Sequence, residues 1–108
     1  MGYKIEYTED ALDDLTNIDT SARKVILKTI NRVAENPLPR SVGGYGVPLG
    51  NKRGMNLTNL LKIKLLKLGY RVVYKLKRTE TSMQIIVIGI RDDEEVYRMA
   101  YERIKNKY

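Results

Sequence analysis

The stretch "LKIKLLKLGYR", Leu61 to Arg71, decides the fold. It alternates apolar and basic residues and then reaches a glycine, so it predicts a strand over Leu60–Leu66 followed by a turn. Period two puts Leu61, Ile63 and Leu65 on one side and Lys62 and Lys64 on the other. The next run, Tyr70 to Leu76, alternates likewise, with Arg71, Val73 and Lys75 against Tyr70, Val72, Tyr74 and Leu76. A loop of two or four residues brings Lys62, Lys64 and Arg71 to one face. A three-residue loop with a bulge at Gly69 sends Arg71 to the other. The more apolar set of the second run belongs with Leu61, Ile63 and Leu65, which favours the first register.

Working outward, a third strand is expected over Gln84–Ile90, joined by the polar turn Lys77–Met83. Short connections make the three strands antiparallel neighbours. Upstream, "YKIEYT" (Tyr3–Thr8) reads as a half-buried strand. Thr8 then caps a helix with an acidic first turn and the stripe Ala11, Leu12, Leu15, Ile18. A second helix is expected over roughly Ser21–Glu35, with Ala22, Val25, Ile26, Ile30, Val33 and Ala34 on one face. Asn36-Pro37 ends it.

The segment "PLPRSVGGYGVPLGNKRGMN" holds all three prolines and reads as a loop that matches no phosphate-binding glycine motif. The segment "RDDEEVYRMAYERIKNKY" reads as a helix capped by Asp92 or Asp93, with Val96, Met99, Ala100, Arg103 and Ile104 inward. The expected fold is a single α+β domain of order β-α-α-β-β-β-α. A mainly antiparallel sheet packs against an N-terminal helical hairpin and a C-terminal helix, with the helices on one face and part of the other face open.

Composition narrows the chemistry. The chain has 108 residues and 43% hydrophobic residues, enough for one packed domain. It contains no Cys and no His, which removes Cys/His metal sites, thiol nucleophiles and imidazole acid–base chemistry. No metal or cofactor is expected. No apolar run approaches a membrane span, and the N-terminus lacks a signal-peptide core, so a cytoplasmic protein is expected. The net charge is +7, unevenly spread. Between Glu35 and Glu80 there is no acid but ten Lys or Arg residues, a field suited to phosphates or an acidic partner. Lys62, Lys64, Arg71, Arg91 and Tyr97, at one edge of the sheet, suit a nucleic acid: cations balance phosphate and Tyr stacks on a base.

"LKIKL", "GYRVVY" and "VIGIRDDEEVYRMAYERI", in this order and spacing, resemble the RelE branch of the RelE/ParE toxin superfamily. The first half of the chain agrees in layout, and the second half carries the motifs. The resemblance implies the fold reached above and a toxin of a type II toxin–antitoxin system. The RelE branch cleaves messenger RNA in the ribosomal A site. The ParE branch poisons gyrase and generally lacks the nuclease residues, so a ParE-like poison or an inactive binding protein is the alternative.

Carried over by position, the catalytic set is Lys62, Lys64, Arg71, Arg91 and Tyr97. Lys52, Arg53, Lys67, Lys75 and Lys77 are the expected RNA- and ribosome-binding residues. A cognate antitoxin, the ribosome and mRNA are the implied partners. The chain departs from the family in a longer loop before Lys62, and in Leu61, where a Tyr often precedes the first lysine.

Without His, the expected chemistry is attack by the RNA's own 2′-OH. Lys64 would be the base, since nearby cations disfavour a charged lysine. Lys62 and Arg71 would stabilise the phosphorane, Arg91 would serve the leaving oxygen, and Tyr97 would stack on a base or assist proton transfer.

Overall fold

The computed structural model describes residues 2–52, 54–65, 67–90 and 92–108, without the side chains of Lys52 and Asp93. The elements are β1 (Lys4–Tyr7), α1 (Glu9–Thr16), α2 (Thr20–Val33), β2 (Val47–Lys52), β3 (Met55–Leu65), β4 (Tyr70–Lys77), β5 (Ser82–Gly89) and α3 (Asp93–Asn106). They form one five-stranded sheet of order β1-β5-β4-β3-β2. β1 runs parallel to β5, and all other pairs are antiparallel.

Helix starts follow local chemistry. Thr8, Asp19 and Asp92 cap α1, α2 and α3 by accepting from the backbone N–H of Ala11, Ala22 and Glu95. Hydrogen bonds from Ser21 and Ala22 hold the Asp19 carboxyl below its ordinary range. Ala22, Ile26, Ile30 and Val33 form the buried stripe of α2, while Val25 and Leu12, expected inward, are exposed.

Two points differ from expectation. β2 occupies part of the segment read as a loop, and β3 begins at Met55 rather than Leu60. Pro48 and Gly50 disguise β2, but it is the last strand of the sheet, where a missing N–H costs no ladder bond on the outer side. The helices also occupy both faces. α1, α2, Leu61, Ile63, Leu65, Val72, Tyr74, Met83, Ile85 and Ile88 make one core. α3 covers Leu57, Leu60, Val73, Ile86 and Val87 on the opposite face through Val96, Tyr97 and Ala100. The cationic side of β3 and β4 is therefore also the side with Leu60 and Val73, and those residues need a cover.

The outer edge of β5 is finished by side chains. β1 ends at Tyr7, opposite Ile85, so Ile86 to Ile88 lie beyond the last pairing of β1 with β5. There the N–H of Ile88 donates to Asp14 Oδ2 at 3.0 Å, and the Ile86 carbonyl accepts from Arg103 Nη1 at 2.7 Å. Arg103 and Asp14 close the loop with two further bonds, 2.8 and 3.1 Å. This clasp joins α1 on one face to α3 on the other.

Candidate functional site

The β3–β4 hairpin closes between Leu65 and Tyr70, which stand opposite each other, with Lys64 opposite Arg71. Gly69 takes φ +74°, a conformation that favours glycine. The four-residue loop thus puts Lys62, Lys64 and Arg71 on one face, as the apolar alternation requires. Arg71 in turn lies opposite Gly89 of β5. Arg71 Nη1 also donates to the Gly69 carbonyl at 3.2 Å, which draws its guanidinium toward the turn. Lys64 is exposed, while Lys62 and Arg71 are half-buried.

From above, α3 presents Tyr97. Lys62 Nζ donates to the Tyr97 hydroxyl at 2.5 Å and lies 5.2 Å from the ring centroid. Tyr97 is only 6% exposed, and its ring belongs to the core under α3. The expected stacking of Tyr97 on a base does not fit this burial. Its ring is spent on packing, and its hydroxyl is the part that meets the cations.

The other expected residues scatter. Lys67 is exposed at the hairpin turn beside the cluster. Lys75 and Lys77 lie along β4, away from that turn, and Lys77 pairs with Glu6 of β1 at 3.0 Å. Lys52 stands opposite Met55, at the far end of β3 from Lys64, roughly 30 Å along the strand at its usual rise. The side chain of Lys52, and Arg53 and Arg91 altogether, lie outside the described residues. Among the described residues no group of acids, Cys or His could hold a metal ion.

Two grooves bear on function. The larger, about 540 Å³, is lined by residues such as Pro48, Leu60, Leu76 and Lys77 and does not reach the lysine pair. The smaller, about 380 Å³, is lined by Arg40, Tyr45, Val47, Lys62, Ile63 and Lys64. Its lining includes Lys62 and Lys64 of the cationic cluster. β2 begins opposite Lys62, so Ile63 to Leu65 extend past the end of β2 at this groove. Sequence reading missed Arg40 and Tyr45, which sat in a segment classed as loop. It also missed Asp14, although an arginine among the inward positions of α3 was a signal that an acid would meet it.

Residues 5–97 match the family described as ParE toxin of type II toxin-antitoxin system, parDE. The chain is 30% identical to the mRNA interferase toxin RelE of Escherichia coli K12, over 96% of this chain and 99% of that protein. A mutant E. coli toxin RelE in the free state superposes with a TM-score of 0.73 at 29% identity, covering 96% of this chain and 99% of that one. The same mutant bound to a peptide of antitoxin RelB gives 0.66 at 28% identity, covering 93% and 95%.

Proposed function

The chain belongs to the RelE/ParE toxin superfamily, and from that premise we propose that it is a ribosome-dependent, metal-independent endoribonuclease that cuts mRNA in the ribosomal A site. One observation carries the reading: Lys62, Lys64 and Arg71 share a face at the end of the β3–β4 hairpin, with the Tyr97 hydroxyl on Lys62.

A phosphodiester is cut without metal when the 2′-OH attacks the adjacent phosphorus. The O2′–P bond forms, the P–O5′ bond breaks, and a 2′,3′-cyclic phosphate and a 5′-hydroxyl result. Lys64, the exposed amine, takes the 2′-OH proton. Lys62 and Arg71 balance the charge that builds on the phosphorane, from positions fixed by strand pairing before substrate arrives. The Tyr97 hydroxyl orients the Lys62 ammonium. Arg91 stabilises the departing O5′ or gives it the proton with which it leaves as the 5′-hydroxyl. The toxin acts in the cytoplasm, and a cognate antitoxin silences it by wrapping the sheet and α3; a related toxin has been solved with an antitoxin peptide bound.

A ParE-like gyrase poison is the second reading, because the matching family is described by ParE. Expression of wild type and of Lys64→Ala and Arg71→Ala in growing cells, with mapping of mRNA ends on ribosomes, separates the two. Cuts within A-site codons that vanish in both variants support the nuclease. Growth arrest with intact mRNA and damaged DNA refutes it.

A further inference from the structure

The groove beside Lys62 and Lys64 has an aromatic wall that the proposed chemistry leaves unused. Tyr45 is 45% exposed at this groove, in contrast to the buried Tyr97. Scattered exposed aromatics are ordinary, but this one is held in place. Its N–H donates to the Asn36 carbonyl at 3.0 Å, and the neighbouring Gly46 N–H donates to the Leu38 carbonyl at 3.0 Å. The buried Tyr74 hydroxyl ties the same loop to the sheet by donating to the Pro37 carbonyl at 2.7 Å. Gly44 and Gly46 flank Tyr45 because nothing larger fits. A Cβ at Gly44 would overlap the Leu38 carbonyl, and one at Gly46 would overlap the Tyr74 hydroxyl. Arg32 lies 5.9 Å from the Tyr45 ring centroid, within cation–π range. Arg40 adds a cation to the lining of the groove.

An aromatic ring on a stiff loop loses little freedom when it stacks. A base has two faces for stacking, and its phosphate can reach Lys62, Lys64 or Arg40. The residues of the groove are thus a ring for the base and cations for the backbone, the two halves of a single-stranded nucleotide site. We propose that Tyr45 and Arg40 form a nucleotide-binding platform next to the cleavage site, where Tyr45 stacks on an unpaired RNA base and so helps to set which codons are cut. This inference rests on the ribonuclease reading above.

The test uses ribosomes programmed with messages that differ at each position of the A-site codon, cut by wild type, Tyr45→Ala, Tyr45→Phe and Arg40→Gln. Tyr45→Ala is expected to lower kcat/KM about tenfold, the effect of removing one stacked base. Tyr45→Phe, which keeps the ring, recovers most of that loss. Arg40→Gln lowers kcat/KM on the same codons. A loss that depends on one codon position identifies a message base. An equal loss on every codon, with weaker ribosome binding, identifies a ribosomal base, which keeps the stacking platform and overturns its part in codon choice. Wild-type kcat/KM on all codons for Tyr45→Ala, with wild-type toxin active, overturns the platform alone. A wild type that cuts no message instead defeats the ribonuclease reading. Thermal melting of each variant separates a lost contact from a lost fold.

Discussion

Replacing Arg103 by methionine should unfasten α3 from the rest of the molecule. The side chain is 17% exposed and its partner Asp14 15%, so the pair is largely out of water. The substitution keeps the apolar stem and removes three hydrogen bonds, two to Asp14 and one to the Ile86 carbonyl. It leaves the Asp14 carboxylate with the Ile88 N–H and the Ile86 carbonyl without its side-chain partner. Breaking one side of a buried pair costs about 3–5 kcal/mol, and partial exposure puts this case near the lower end, about 3 kcal/mol. For a domain of this size that is about 13 °C in Tm.

Burial disfavours the charge on Arg103. Hydrogen bonding to Asp14 and the charges of Asp14, Asp10 and Tyr108 outweigh it, so its pKa is raised. A raised pKa on a cation means the stabilisation is complete below the ordinary arginine value and is lost only above it. The Arg103 side of the loss should therefore be the same at pH 6 and pH 9. Thermal and urea unfolding measure the loss, and a double-mutant cycle with Asp14→Asn isolates the pair. A Tm drop of less than about 3 °C, or additive single effects, would refute the clasp.

Four further outcomes are expected. Lys64→Ala should lower the single-turnover cleavage rate by about 10²–10⁴-fold at saturating ribosomes, the range for a lost general base; a loss confined to KM would count against that role. Tyr97→Phe should reduce kcat without shifting the codon pattern, because the buried ring stays and only the hydroxyl on Lys62 goes; an altered codon pattern would restore a stacking role. Gly46→Ala should cost about 1–3 kcal/mol in urea unfolding, because its Cβ has no space beside Tyr74 and Leu61; an unchanged midpoint would contradict the packing. Burial pushes the Tyr74 phenol above its ordinary value of 10.0. The stability it contributes is therefore full below pH 10 and declines above it, by up to about 1.4 kcal/mol per pH unit. Tyr74→Phe should flatten the alkaline limb of the stability profile, and an unchanged limb would place the titration elsewhere.

What could be read in the sequence was local. Thr8, Asp19 and Asp92 announce helix starts because a cap acts on residues three positions away. The shared face of Lys62, Lys64 and Arg71 was legible because strand period and apolar alternation constrain the hairpin together. What could not be read depends on meetings far apart in the chain. Pro48 and Gly50 look like loop residues until the strand that holds them is seen at the sheet edge. The side on which α3 packs is decided by Val73 and Leu60, which share a face with the lysines and were overshadowed by them. That Tyr97 comes close to Lys62 was legible, but its burial was not. Tyr45 gave no periodic signal, since its position comes from a loop held by Tyr74, 29 residues on.

The parallel pairing of β1 with β5 and the clasp at Arg103 also impose an order of assembly. The first strand waits for a partner that begins at Ser82, and α1 waits for an arginine still further along. Contacts between such distant segments form late and slowly, because a long loop must close before they yield any gain. A nascent chain therefore exposes its basic hairpin well before α3 can bring Tyr97 to Lys62. For a protein proposed to attack the machine that makes it, the site stays incomplete until α3 has been made and has docked.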